Sequence, residues 1–136
     1  MKTMQDEGLQ GNEALEQAIA ALQQEATQEQ LAHTLTVLRR RMKAGGQLIV
    51  AVEPALDGGP VQLRTLQTAD GGHWWYAFTS FDEELKGAEP LKSTFLAEIG
   101  KLMDAVLAAP EINGLILNPW NRTLQLDKTL LRITKG

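Results

Sequence analysis

The chain has 136 residues, of which 43% are hydrophobic and 22% charged, and this composition is typical of one ordinary globular domain. It contains no cysteine, which excludes a disulfide scaffold and thiol catalysis. The formal net charge is −4, and no apolar run approaches the roughly 20 residues that span a bilayer. We therefore expect a cytoplasmic protein that binds neither nucleic acid nor membrane.

Residues 1–11 hold little apolar surface, so we expect a flexible N-terminal tail ahead of a single domain at 12–136. The domain begins with a predicted helix from about residue 13 to residue 25. Its apolar stripe recurs at helical spacing, at Leu15, Ile19 and Leu22. Asn12 is predicted to cap this helix.

A second helix is predicted over residues 28–43. Thr27 and Gln30 have the spacing of a capping box at its start. Its last turn is basic, with Arg39, Arg40, Arg41 and Lys43. Such a run complements the helix dipole, and this interpretation is favoured over a binding patch for an anion or an acidic partner.

Three strands are predicted next. Residues 47–53 are apolar on both faces, which is typical of a central strand covered on both sides. Residues 61–68 and 73–79 form a predicted hairpin around the glycine turn at 69–72. In its second strand, Trp75 and Ala77 share one face and Trp74, Tyr76 and Phe78 share the other.

The remaining predicted elements complete a mixed domain. They are a helix at 95–108 capped by Thr94, strands at 114–117 and 123–126, and a helix at 128–133 capped by Asp127. The order predicts an α/β fold of the mixed α+β kind. It comprises a mixed sheet of about five strands, an N-terminal helix pair, one crossover helix and a short C-terminal helix.

Short motifs in the second half of the chain carry a family resemblance. They are Phe78-Thr79-Ser80, the acidic run Asp82-Glu83-Glu84, Leu117-Asn118-Pro119 and Leu124-Gln125-Leu126. In order and spacing they resemble the SseB-like family, named for enhanced serine sensitivity, over roughly residues 12–134. Tyr76 departs from the pattern, because family members often have proline there. Longer relatives carry a second, C-terminal domain with no counterpart in this sequence.

The resemblance implies a cytoplasmic bacterial protein, without an established reaction or catalytic residues to transfer. The residues themselves also give no catalytic set. His33 and His73 are the only histidines and lie in different predicted elements, so no zinc-ligand spacing is present. The acidic run lacks the calcium-loop pattern. There is no nucleophile elbow and no phosphate loop. We predict no catalytic, cofactor-binding or metal-binding residues.

One candidate surface emerges from the topology. If the strands at 73–79 and 114–117 share a sheet, the helical crossover between them makes them parallel, and their C-terminal ends meet at one edge. Ligands often bind at such an edge. The residues that would converge there as an interaction surface are Thr79, Ser80, Asp82, Asn118, Trp120 and Asn121. The alternative is that these residues only cap a turn and shape a hairpin.

We therefore predict a non-catalytic module that binds another protein. A first alternative is a small-metabolite-binding protein or enzyme linked to amino-acid (serine) metabolism, which is suggested only by the family name. A second is a self-associating domain, such as a homodimer, that uses the sheet edge or the first helix pair.

Overall fold

The computed structural model describes residues 9–53, 62–63, 65–80, 94–119 and 121–135. In this part of the chain the helices are α1 (Asn12–Gln24), α2 (Gln28–Lys43), α3 (Ile99–Ala108) and α4 (Lys128–Lys135). The strands are β1 (Gln47–Glu53), β2 (Gln62–Leu63), β3 (Thr65–Gln67), β4 (His73–Phe78), β5 (Thr94–Glu98), β6 (Gly114–Leu117) and β7 (Leu124–Asp127). Within the described ranges, no helix combines the length and the apolarity that a membrane crossing requires.

The strands form one mixed sheet in the order β2-β1-β4-β6-β7, with β5 paired to β1 and β3 paired to β4. β4 and β6 are parallel, from Trp74 opposite Gly114 to Ala77 opposite Leu117. The other pairings are antiparallel. The predicted fold class is confirmed, and so is the parallel pairing of the strands that carry the two motifs.

The sheet separates two apolar clusters. On the helix-covered face, the helix-face core joins all four described helices to β1, β4, β6 and β7. Its strand residues are Leu48, Val50, Ala77, Leu115, Leu117, Leu124 and Leu126. On the opposite face, the second-face core consists of Ile49, Ala51, Trp74, Tyr76, Phe78 and Ile116. β1 is therefore buried on both faces, as its apolar run predicts.

Two predicted helix caps are confirmed. The Thr27 hydroxyl accepts a hydrogen bond from the Gln30 amide at 3.1 Å, at the start of α2. Only this half of the capping box forms, because the Thr27 amide donates to the Glu25 carbonyl at 2.9 Å. At the start of α4, Asp127 Oδ1 accepts from the Leu130 amide at 2.9 Å.

The predicted cap at Asn12 is wrong. The N-cap of α1 is Gly11, with a positive φ of 92° and no side-chain cap bond. Asn12 lies inside the first turn and is 2% exposed. Its side chain points inward and is engaged by the carbonyls of Gln47 and Thr79, as described below.

The helix predicted at 95–108 begins four residues later, at Ile99. The preceding residues form β5, which pairs with β1 from Glu98 opposite Gln47 to Thr94 opposite Ala51. Thr94 is thus the first residue of a strand, not a cap. The segment forms a strand rather than a helical turn because its backbone groups can bond the edge of β1. The local sequence pattern contains no information about this distant partner.

The strand predicted at 61–68 divides into β2, which pairs with β1, and β3, which pairs with β4.

The basic end of α2 serves contacts within the chain. Arg39 donates through Nε to the Thr134 carbonyl at 2.7 Å and through Nη2 to the Ile133 carbonyl at 2.5 Å. These carbonyls belong to the last turn of α4, where cations are favoured by the helix dipole. Arg41 donates to Asn12 at 2.8 Å. Two of the four basic residues, Arg39 and Arg41, thus bind α4 and α1 of the same chain.

Candidate functional site

The two motif turns meet at the edge where the parallel strands β4 and β6 end. Thr79 follows β4 and Asn118 follows β6. Asn118 Oδ1 accepts from the Thr79 amide at 2.9 Å, and Asn118 Nδ2 donates to the Thr79 hydroxyl at 3.0 Å. Both residues are 0% exposed. The side chain of Asn118 therefore joins the two turns beneath the molecular surface.

Glu16 of α1 reaches the same point from the helix layer. Its Oε2 accepts from the Thr79 hydroxyl at 2.5 Å, and its Oε1 lies 3.3 Å from Arg122 Nη1. Glu16 is 8% exposed, and a carboxylate this deeply buried requires a partner for its charge. Arg122 supplies that charge, and its own side chain remains 42% exposed.

Asn12 attaches the start of α1 to the same edge. Its Nδ2 donates to the Gln47 carbonyl at 2.9 Å and to the Thr79 carbonyl at 3.0 Å. Its Oδ1 accepts from Arg41 Nε of α2 at 2.8 Å. We call Asn12, Glu16, Thr79, Asn118 and Arg122 the motif network. It connects α1 to both motif turns and, through the bond between Asn12 and Arg41, to the end of α2.

The turn after β6 is closed by its own backbone and side chains. Asn118 has a φ of 52° and Arg122 a φ of 42°, both in the left-handed region. Asn is among the non-glycine residues that adopt this conformation most readily. The Asn118 carbonyl accepts from the Asn121 amide at 3.2 Å and from the Thr123 hydroxyl at 2.7 Å. These two bonds hold Asn121 and Thr123 against Asn118 between β6 and β7.

Of the residues predicted for an interaction surface, Thr79 and Asn118 come into direct contact. Both are buried, so in this structure they lie beneath the surface rather than on it. Ser80 and Asn121 are half-buried at the same edge. Asp82 and Trp120 lie outside the described residues. That these residues form an interaction surface remains a prediction.

Asn12, Glu16 and Arg122 belong to the site but were not predicted from the sequence. Glu16 carries a signal that could have identified it. It lies four residues after Asn12 and three before Ile19, on the apolar side of an amphipathic helix. A carboxylate on such a face indicates a buried partner. Nothing in the sequence alone names Arg122 as that partner.

The arrangement of the motif network favours a structural role over a chemical one. A hydroxyl bonded to a carboxylate, as in Thr79 and Glu16, is one way to activate a nucleophile. However, Thr79 is 0% exposed, so a substrate has no access to its hydroxyl in this structure. Among the described residues, no group of three or more potential ligands is placed to hold a metal ion.

A surface depression at the junction of α1 and α2 is also a poor small-molecule site. It is lined by Glu25, Thr27, Gln28, Glu29, Gln30 and His33. All of these residues except the half-buried Gln30 are exposed. Small-molecule sites are usually concave and mostly apolar, and this depression is neither enclosed nor apolar.

In a comparison with known protein families, the chain matches the SseB protein N-terminal domain over residues 15–132. The match covers most of the chain, and it confirms the resemblance inferred from the motifs. The matched range contains Glu16, Thr79, Asn118 and Arg122, and begins after Asn12. Comparisons with curated proteins and with solved structures gave no match.

Proposed function

Since the chain belongs to the family of SseB protein N-terminal domains, we propose that it is a non-catalytic, cytoplasmic protein-interaction module. Its contact surface is the edge of the sheet where β4 and β6 end. We call this edge the motif rim, and it comprises Ser80 and Asn121 together with their sequence neighbours Asp82 and Trp120.

One observation carries this proposal. The Asn118 side chain bonds both the amide and the hydroxyl of Thr79, in a region that is 0% exposed. The polar groups that could perform chemistry are thus engaged in holding the two turns together. A surface whose backbone is fixed before binding loses little conformational entropy when a partner docks. The burial of Thr79 and Asn118 in this contact supports recognition rather than reaction at this edge.

The rim also has the side-chain chemistry of a polar contact surface. Ser80 and Asn121 supply hydroxyl and amide groups, and both are half-buried and so partly accessible. Trp120 is adjacent in sequence, and tryptophan is among the side chains that most often anchor protein interfaces. We propose that the partner is a protein that covers an aromatic anchor surrounded by hydrogen-bonding groups.

The experiment is affinity capture from cells with the tagged full chain, followed by mass spectrometry. Ser80→Ala and Trp120→Ala, made separately, should keep the melting temperature within a few degrees and reduce the amount of captured partner. Glu111→Ala is the matched control, because Glu111 is exposed and precedes β6 at the opposite end of that strand. A partner retained equally by all variants would contradict the assignment of the rim.

Native mass spectrometry of the purified chain separates this function from the metabolite-binding alternative. We expect a spectrum without a bound small molecule. A stoichiometric small molecule retained through purification would overturn the proposal and favour a metabolite-binding protein or an enzyme.

A further inference from the structure

β5 is an edge strand of the sheet that the described residues form. In the described part of the chain, β5 pairs with β1 alone. Each of its residues is half-buried or exposed, and Phe95 is 47% exposed. The adjacent β1 is different, because its residues from Leu48 to Ala51 are at most 1% exposed. Among the described residues, one lateral side of β5 is thus paired with β1 and the other has no strand partner.

Within its described residues, β5 lacks three of the features that protect edge strands from pairing with other chains. Natural edge strands are commonly protected by lysine, by proline or by a bulge. The sequence of β5, Thr-Phe-Leu-Ala-Glu, contains neither residue. Its register with β1 runs without a bulge from Glu98 opposite Gln47 to Thr94 opposite Ala51. Its single charge, Glu98, lies 3.8 Å from Lys101 of α3.

The hydrogen bond of Ile99, the residue after β5, shows which backbone groups of the strand face β1. The Ile99 amide donates to the Gly46 carbonyl at 3.0 Å, so the backbone groups of Ile99 point toward β1. In an antiparallel pair this direction alternates along the strand. The backbone groups of Ala97 and Phe95 therefore also point toward β1. Those of Thr94, Leu96 and Glu98 point away from it.

We propose that a second copy of the chain pairs antiparallel with β5, about a two-fold axis at Leu96. In this register Leu96 exchanges two backbone bonds with the partner's Leu96. Thr94 exchanges its bonds with the partner's Glu98, and Glu98 with the partner's Thr94. The outward-pointing backbone groups of the strand are thereby all satisfied, as edge-to-edge strand addition requires.

The side chains are self-complementary in the same register. Phe95 lies opposite the partner's Ala97, so an exposed aromatic ring covers a small residue on the helix-covered face of the sheet. The two copies of Leu96 meet on the second face, where Leu96 already packs against the second-face core. Glu98 lies opposite threonine, so no like charges are opposed. A two-fold contact needs such self-complementarity, and this favours a second copy over an unrelated strand.

The dimer uses a different surface from the motif rim, and the inference does not depend on the proposed function. The first test changes the charge at Thr94 while Glu98 stays as it is. Thr94→Glu places a like charge opposite the partner's Glu98 at two symmetric positions, and should weaken dimerisation about tenfold. Thr94→Lys places an opposite charge there and should strengthen it. Dissociation constants are measured by analytical ultracentrifugation in low salt, and circular dichroism checks that both variants are folded.

The second test uses the absence of cysteine from the chain. In Leu96→Cys, the introduced thiol has only its symmetry mate as a partner, and mild oxidation should give a disulfide-linked dimer. Gln125→Cys is the matched control, because Gln125 is exposed on β7 and away from β5. It should remain largely monomeric under the same oxidation.

Three results would overturn the proposal. The first is a wild-type chain that stays monomeric at high micromolar concentration. The second is a dimer whose dissociation constant is the same in Thr94→Glu and Thr94→Lys. The third is equal crosslinking of Leu96→Cys and Gln125→Cys. Crosslinking that is specific to Leu96→Cys, together with opposite shifts in the two Thr94 variants, supports it.

Discussion

Asn118 combines an uncommon backbone conformation with a side chain that bonds on both of its polar atoms. Its φ of 52° lies in the left-handed region, which asparagine tolerates better than most residues. Its amide oxygen satisfies a buried backbone donor of Thr79, and its amide nitrogen binds the Thr79 hydroxyl. Each property stabilises the turn separately, so substitutions can separate them.

Asn118→Ala should lower the free energy of unfolding by about 3 kcal/mol, since it adds left-handed strain and leaves the Thr79 amide without its acceptor. Asn118→Gly also loses the hydrogen bonds but adds no left-handed strain. It should therefore lower the free energy of unfolding by about 1 kcal/mol less than Asn118→Ala does. Urea unfolding of the two variants measures both values. If the glycine variant is as stable as wild type, the hydrogen bonds to Thr79 contribute nothing and the motif network has been misjudged.

Asp70 shows how a single turn responds to acid. Its carboxylate accepts from the Thr68 hydroxyl, and from the Gly72 amide at 3.1 Å. These bonds, first that of Thr68 and then that of Gly72, hold the pKa of Asp70 below its ordinary value. A carboxyl group whose pKa is lowered by folding stabilises the folded state above its unfolded pKa, about 3.9. That contribution is lost as the pH falls through the lower, folded pKa.

Thr68→Ala should therefore raise the pKa of Asp70 toward that of an ordinary aspartate. An NMR titration of the Asp70 carboxyl carbon between pH 2 and pH 6, roughly, measures the change. Thr36→Ala is the control, because the Thr36 hydroxyl bonds the Ala32 carbonyl on α2 and does not contact Asp70. An Asp70 titration curve that is the same in all three proteins would contradict the role given to Thr68.

Two caps predicted from the sequence illustrate what local chemistry can and cannot reveal. Thr27 caps α2 as predicted, because its bond partner is the amide three residues later. Asn12 has equally good capping chemistry, yet its partners are the carbonyls of Gln47 and Thr79, at sequence separations of 35 and 67 residues. A local rule is reliable only when no distant group competes for the side chain.

At the scale of whole elements, substitution by alanine is expected to have very different effects on stability at two glycines. A Cβ at Gly114 of β6 would lie 2.1 Å from the Leu126 carbonyl oxygen and 2.5 Å from Trp74 Cζ3. A Cβ at Gly100 of α3 would lie 3.3 Å from Met42 Cγ, on a flexible side chain. The first glycine is required by the contact between β6 and β7, whereas the second is not required by any backbone contact.

Gly114→Ala should therefore cost about 3 kcal/mol or prevent folding, because backbone and ring atoms would have to move apart. Gly100→Ala should change stability by about 1 kcal/mol or less, because the gain in helix propensity offsets the displacement of Met42. The midpoints of urea unfolding compare the two variants directly. Equal midpoints would mean that β6 and β7 do not approach as closely as described.

The elements that sequence reasoning predicted well are those with a strong internal period. The two N-terminal helices are of this kind, whereas β1 was predicted from a continuous apolar run. β5 was instead predicted as the first turn of a helix, because Phe95 and Ile99 continue the apolar stripe of α3 at helical spacing. The pairing of β5 with β1 decides the outcome, and it depends on a strand that ends more than 40 residues earlier in the chain.

For the molecule as a whole, the sheet lies between two apolar cores, and adjacent residues of β1 belong to different ones. Ile49 is in the second-face core and Val50 is in the helix-face core. Both Ile49→Asp and Val50→Asp should abolish folding, because each buries a charge without a partner. Near-ultraviolet circular dichroism and NMR dispersion measure the loss. A soluble Ile49→Asp variant that unfolds cooperatively would mean that the second face is open to water.

The same scale explains which part of the site was predictable. The meeting of the turns after β4 and β6 followed from strand direction alone, because parallel strands end at the same edge. The role of Glu16 did not follow from topology, since it depends on how α1 lies across the sheet. Glu16 and Thr79 are 63 residues apart in the sequence. Such contacts are set by packing, and the pattern of the chain does not specify them.

The sequence separations within the motif network also bear on the order of folding. The ion pair of Glu16 and Arg122 joins residues 106 positions apart, nearly the length of the domain. During synthesis, Thr79 leaves the ribosome well before Asn118, so the bonds between these two residues form only after the second motif turn has emerged. Contacts that form after the folding transition state slow unfolding without accelerating folding. If the bonds of Asn118 and Arg122 form after the transition state, substitutions at these residues should accelerate unfolding and leave the folding rate unchanged.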